Sequence, residues 1–191
     1  MTVLIAILSV LAALVSSGAT VYALTFTQQQ VDITRHGLIA DRFNKAGDQL
    51  GSEKSDVRTV AVLALGQIMA EDSSYSPIIV DVLAAFIRAH APRVPDKDRP
   101  QPDPAGWGWT RPYLDVQAAL TVLAHRSTGP NDNRDIDLRK TNLPGADLRN
   151  ANLDNINFTG ANLEGADLTN AKQDRVILAD ATMQGVKGLR K

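Results

Sequence analysis

The side chains able to do chemistry in this chain are few and scattered. Its three histidines, His36, His90 and His125, stand alone, with no second ligand at i+2 to i+4 of the kind that holds zinc. Exposed or helix-terminal positions account for them. Cysteine is absent, which excludes a thiolate nucleophile, an iron–sulfur cluster, a cysteine zinc site and a disulfide framework. No glycine-rich phosphate loop, Ser-x-x-Lys pair or nucleophile elbow occurs. Asp137, Asp147, Asp154 and Asp167 could serve as general acids or bases, but each falls on an outward position of a five-residue repeat. Such work needs a pocket that shifts the pKa. These carboxylates are therefore read as solvated, and the chain is expected to be no enzyme and to need no metal or cofactor.

Both tryptophans, Trp107 and Trp109, lie in Gly106-Trp107-Gly108-Trp109. One reading makes them an aromatic pair for a partner or the bilayer interface. The other, favoured because buried tryptophan contributes much apolar area to a small domain, has the loop tucking its rings onto neighbouring helices.

Three kinds of segment must position these residues. The chain has 191 residues, room for one ordinary domain or two small ones, so large multidomain enzymes are excluded. Its 20 Lys+Arg and 21 Asp+Glu give a net charge of −1, so no global field attracts nucleic acid, and none is expected as a partner.

The first segment, 1–30, reads as a transmembrane anchor. The first charged side chain is Asp32, and Val3 to Phe26 is an apolar stretch interrupted only by Ser, Thr and one Gly. As a helix it would be about 36 Å long, enough for a hydrocarbon core of about 30 Å. A cleaved signal peptide is the rival, with Val21-Tyr22-Ala23 as cleavage site, but no Lys or Arg precedes the run and its length exceeds an h-region. Arg35, Arg42 and Lys45 follow it, which predicts a single-pass plasma-membrane protein whose carboxyl region is cytoplasmic.

The second segment, 31–130, reads as helical. Ile39, Phe43, Ala46 and Leu50 form one stripe that Gly51-Ser52 closes. A second helix from Ser55 or Asp56 is expected to bury Val57, Val60, Ala61, Ala64, Leu65 and Ile68. A third, after Ser76-Pro77, would bury Ile79, Val82, Leu83, Phe86 and Ile87. A fourth, over Tyr113 to Arg126, offers Val116, Ala119, Leu120 and Leu123. The run from Asp56-Val57-Arg58 to Ala64-Leu65 resembles the second helix of a HEAT or armadillo repeat, and Leu114-Asp115-Val116-Gln117 echoes it with Gln117 where the pattern wants Arg. A small helical bundle is the plainer reading. Between helices three and four, 91–112 holds six of the nine prolines, which predicts an exposed polyproline-II-rich loop.

The third segment, 131–191, repeats every five residues. Its centre position reads Leu138, Leu143, Leu148, Leu153, Phe158, Leu163, Leu168, Gln173, Leu178, Met183. Two residues earlier stand small or β-branched residues, among them Ile136, Ala146, Ile156, Ala166 and Val176. A period of five fits neither helix nor ordinary strand. A slower period settles the shape: Ile136, Ile156 and Val176 recur every 20 residues, as do Gly145, Gly165 and Gly185. Four units then make one turn of a square-sided β-helix with turns stacked about 4.8 Å apart. The inward columns are Leu138/Phe158/Leu178, Leu143/Leu163/Met183, Leu148/Leu168 and Leu153/Gln173, and the coil should loosen at Gln173. The fourth helix is placed to cover the first turn.

The frame of Ala, Asp or Asn, Leu and two variable residues over units 136–185 resembles the pentapeptide-repeat proteins, which implies a right-handed quadrilateral β-helix. The order of segments, with Ala40-Asp41-Arg42-Phe43-Asn44-Lys45-Ala46 and Leu50-Gly51-Ser52, resembles a recurrent actinobacterial membrane-anchored type. The fold expected is thus α+β in several parts: anchor, small solenoid-like helical segment, β-helix. The function expected is a membrane-tethered scaffold for an unidentified protein partner. Its alternative, a DNA mimic that binds a topoisomerase, is disfavoured: from Asn131 to Lys191 nine acids face nine bases, and the coil is short.

Overall fold

A computed structural model describes residues 30–31, 34–93, 112–126 and 134–190. The apolar stretch Val3 to Phe26, Trp107 and Trp109, and 94–111 of the proline-rich loop lie outside these residues. Among the described residues no helix is long and apolar enough to cross a membrane. The chain divides into two compact units, Met1–Arg42 and Phe43–Lys191. The described part of the first is helical, and helix α1 covers 34–50.

In the second unit three further helices follow: α2 Ser55–Glu71, α3 Ser76–His90 and α4 Leu114–Ala124, with a 3-10 turn Ser73–Tyr75 between α2 and α3. Their ends are set by local chemistry. Asp72 accepts from the Ser74 N–H and breaks the helix, and Pro77 opens α3 where its missing N–H costs nothing. Helix α4 packs on both α2 and α3. Ala61, Val62, Leu65 and Ile68 of α2 meet Val116, Ala119, Leu120 and Leu123 of α4 in a fully enclosed core. Gly66 belongs to this contact, since a Cβ there would stand 2.9 Å from Val122.

Arg58 and Asp115, one from each of the two HEAT-like runs, join as an ion pair at 2.6 Å, and Asp115 is fully buried. The same guanidinium donates to the carbonyls of Ser52 and Glu53, so it ties the α1–α2 connection to α4. Val60 corrects the sequence reading: it is 60% exposed. The face of α2 that meets α4 is centred on Ala61, Val62 and Leu65, which turns Val60 and Leu63 outward. Val57, Ala64 and Val82 are half-buried, and on α3 Val80 and Ala84 join the core.

From Ile136 the backbone coils with a period of 20. Strands β1 Ile136–Asp137 and β2 Ile156–Asn157 pair in parallel, Ile136 opposite Ile156. Parallel bridges repeat the spacing on the other faces, as Asn142 with Asn162, Asp147 with Asp167 and Asn152 with Lys172. Four such columns make the coil four-sided. The inward residues from Leu138 to Leu168 donate their N–H to the next turn, as Leu138 to Asn157 O at 2.9 Å and Leu148 to Asp167 O at 2.9 Å. At the corners the chain bends through left-handed backbone at Lys140, Gly145, Asn150, Asn155, Gly160, Gly165, Asn170, Asp180 and Gly185. Gly and Asn bear this conformation with least strain, which explains their recurrence at the last position of the unit. The loosening at Gln173 is local. Arg175 is the one corner residue between 140 and 185 outside the left-handed region, and the turn bond that Ala171 N makes to Leu168 O has no counterpart from Val176 to Gln173.

Candidate interaction surface

Ile136, Leu138, Leu143, Leu148, Leu153, Ile156, Phe158, Leu163 and Leu168 are all at most 2% exposed and fill the coil. Leu178 and Met183 stand in the same columns but are half-buried, because no described turn lies beyond them. With the interior filled by apolar side chains, recognition can only occur on the outside. There the position just before the apolar centre is held in most units of the first two turns by two ladders at once, its backbone by the neighbouring turn and its side chain by a local bond. Asp137, Asp147, Asn157 and Asp167 each accept from the backbone N–H two residues on. Asn142 and Asn162 bond to each other across turns at 2.8 Å.

The amino-terminal edge of the coil is closed on every side by the helical segment. Arg88 of α3 donates to Asp137 O. Pro92 pairs antiparallel with Thr141, with Arg93 N to Lys140 O and Asn142 N to Ala91 O. The carboxamide of Gln117 on α4 bonds both backbone groups of Asp147. Asn152 donates to Ala124 O, and Arg126, 7% exposed, donates to the carbonyls of Leu123, Asn152 and Asp154. An open edge of unpaired backbone invites aggregation, and here four separate devices remove it. Arg93 goes further: its guanidinium reaches Gly160 O on the second turn and Thr182 Oγ1 on the third.

The charges of the coil are largely neutralised locally. Arg139 lies on Asp137 at 2.9 Å and Arg149 on Asp147 at 2.6 Å. The hydrogen bond from Arg139, with its charge and that of Arg88, holds the Asp137 carboxyl down at about 2. Asp154 corrects the reading of a solvated carboxylate: it is 2% exposed. Burial alone would raise its pKa, but the Lys172 ammonium at 2.6 Å and the N–H of Asp174 outweigh it and hold the group below the ordinary carboxylate range. Thr169 does the same for the half-buried Asp167.

A groove of about 710 Å³ runs beside the Gln117 cap, between Pro112 and Leu114 on one side and Asp147, Asp167 and Lys187 on the other. Its carboxylates are engaged with Arg149 and Thr169, and the Asp167 carboxyl is held below its ordinary range, away from that of a general base. The histidines are likewise occupied: His90 stacks on Phe86 at 4.1 Å and His125 bonds Thr121 O. Among the described residues no group of three or more His, Cys, Asp or Glu side chains could hold a metal ion.

Residues 134–170 and 156–187 match the family described as Pentapeptide repeats (8 copies). A comparison with curated proteins finds no match. The carboxyl part of the chain is thus a pentapeptide-repeat coil, and such a domain is in general a protein-interaction module.

Proposed function

We propose that this pentapeptide-repeat-containing chain is a membrane-tethered scaffold of the actinobacterial type its segment order resembles. The stretch Val3 to Phe26 is its anchor, and a right-handed quadrilateral β-helix is presented at the cytoplasmic face of the plasma membrane for another protein to dock on. The observation that carries this reading is the fourfold closure of the coil by Arg88, Pro92, Gln117 and Arg126. It makes the coil a rigid body with outward side chains fixed in ladders, which lowers the entropy lost on docking. The arginines and lysine after the apolar stretch support the cytoplasmic orientation.

The DNA-mimic alternative needs a rod of negative charge. The nine acids and nine bases from Asn131 to Lys191 balance, and Asp137, Asp147, Asp154 and Asp174 are each paired with an arginine or lysine.

In-cell proximity labelling from the carboxyl terminus tests topology and partner together. The reading expects cytoplasmic proteins to be labelled reproducibly, with the chain retained in membranes after carbonate washing. Labelling confined to proteins on the extracytoplasmic side of the membrane, or release of the chain by carbonate, overturns it.

A further inference from the structure

The coil has one irregular corner, and a side chain of the helical segment reaches past it. Arg175 alone among the corner residues between 140 and 185 stands outside the left-handed region. Among the described residues no bond from Val176 N to Gln173 O closes that corner, as Ala171 N to Leu168 O and Ala181 N to Leu178 O close theirs. Gln173 also puts a polar, half-buried side chain in the column that Leu153 begins. The third turn, 176–187, is thus joined to the second through the stretch with the fewest bonds to fix its backbone. Local opening favours such stretches.

Arg93 grips the coil on both sides of that corner. Its backbone N–H is donated to Lys140 O on the first turn at 2.8 Å. Its guanidinium gives one N–H to Gly160 O on the second turn at 2.8 Å and another to Thr182 Oγ1 on the third at 2.9 Å. Pro92 beside it is paired with Thr141, so the side chain starts from a fixed point. The guanidinium is a rigid planar fork, and it meets Gly160 and Thr182 together only while the third turn lies in register on the second. In that register Phe158 N bonds Ile177 O, Leu163 N bonds Thr182 O, and Thr182 N and Lys187 N bond Ala161 O and Ala166 O. The column Asn142, Asn162, Thr182 carries the far end of the grip: the two asparagines bond each other, and the threonine bonds Arg93 instead. We propose that 176–187 opens as a unit about the corner at Arg175 and that Arg93 is the clasp that holds it shut. The helical segment thereby sets how often the third turn leaves the coil.

Hydrogen exchange read amide by amide on the full chain, in one detergent-containing buffer, tests this with two variants. Arg93→Ala removes the guanidinium and leaves the backbone bond to Lys140 in place. Thr182→Val keeps the shape of the side chain and removes only the acceptor, so the fold survives even where the first variant disturbs it. Both should speed exchange by about five- to tenfold, the worth of one ordinary hydrogen bond, on both sides of the seam between the second and third turns: at Phe158, Leu163 and Leu168, and at Ile177, Thr182 and Lys187. Leu138, Leu143 and Leu148, which bond from the first turn to the second, should keep the parent rate. Unchanged rates along the seam show that Arg93 clasps nothing. Acceleration at Thr182 alone shows that the third turn does not open as a unit, and equal acceleration at both seams shows a general loss of stability. Each of these results overturns the proposal.

Discussion

Gln117 and Asp147 bond to each other twice, across 30 residues of sequence. The Gln117 carboxamide donates to the Asp147 carbonyl at 2.9 Å and accepts from its N–H at 3.0 Å. The side chain thereby copies the backbone of a turn that does not exist, and α4 ends the ladder as a further coil would have continued it.

Gln117→Ala leaves both Asp147 groups to water or to nothing. Both bonds are exposed, so water takes over part of their role and the loss is about 1 kcal/mol. Urea denaturation followed by far-ultraviolet circular dichroism should show that loss, whereas Gln67→Ala, on an exposed face of α2, should leave the midpoint in place. Equal midpoints for the two would mean the amide contributes nothing to the cap.

The same logic applies to the whole edge. Residues 134–191 expressed alone lose Arg88, Ala91–Arg93, Gln117, Ala124 and Arg126 together, so they should be unfolded or aggregated. Residues 43–191, which keep all four closures, should give a cooperative transition. A monomeric, cooperatively melting isolated coil would show that the closures are dispensable.

Asp154 should behave unlike the exposed carboxylates. Asp154→Ala leaves the Asp174 N–H without its acceptor and Lys172 without its partner, beneath the buried guanidinium of Arg126. A loss of about 1–2 kcal/mol follows, because the acceptor removed is nearly buried while the Lys172 ammonium it leaves is half-exposed and can be solvated. Glu164→Ala, on the exposed outer face, should shift the same melting curve by a negligible amount.

Acid should weaken the coil over a defined window. The Asp137 carboxyl titrates at about 2, because Arg139 bonds its charged form, against about 3.9 in an unfolded chain. A depressed native pKa adds stability that is fully present above the unfolded value and is lost as pH falls through the native one. Asp154 and Asp167 shift in the same direction. The urea midpoint should therefore fall between about pH 4 and pH 2. The fall should be slightly shallower in Asp137→Asn, whose side chain is 39% exposed and so contributes little.

Periodic features were legible in the sequence and single contacts were not. Ile136, Ile156 and Val176 reveal a turn of 20 because every turn rebuilds the same environment, and repetition amplifies a weak preference into a pattern. Gln117 sits in the chain as a departure from a repeat motif, and its role as a cap depends on Asp147 lying in space beside α4. Arg93 shows no pattern at all, since it spans three turns through two carbonyls that any sequence carries, those of Lys140 and Gly160, and the single hydroxyl of Thr182. Asp154 misled for a related reason. Its unit position is outward, but Lys172 on the next turn closes over it. Val60 missed because a stripe read at helical spacing leaves the phase of a short, nearly all-apolar helix open by about one position.

Ile156 gives the sharpest test of the slower period. The five-residue frame alone would accept alanine there, as at Ala151 and Ala161, which are likewise buried. The 20-residue frame instead places it directly opposite Ile136 in the parallel pair and above Val176, so the interior at that face is spaced for a branched side chain. Ile156→Ala should open a cavity between them and cost about 2–5 kcal/mol, a large part of the stability of a small domain. Arg149→Ala removes an exposed guanidinium whose ion pair with Asp147 contributes little in water. Calorimetry on the two variants of 43–191 should separate them by many degrees. Equal, small shifts would show that Ile156 stacks in no column, and the turn of four units would lose its support from side-chain size.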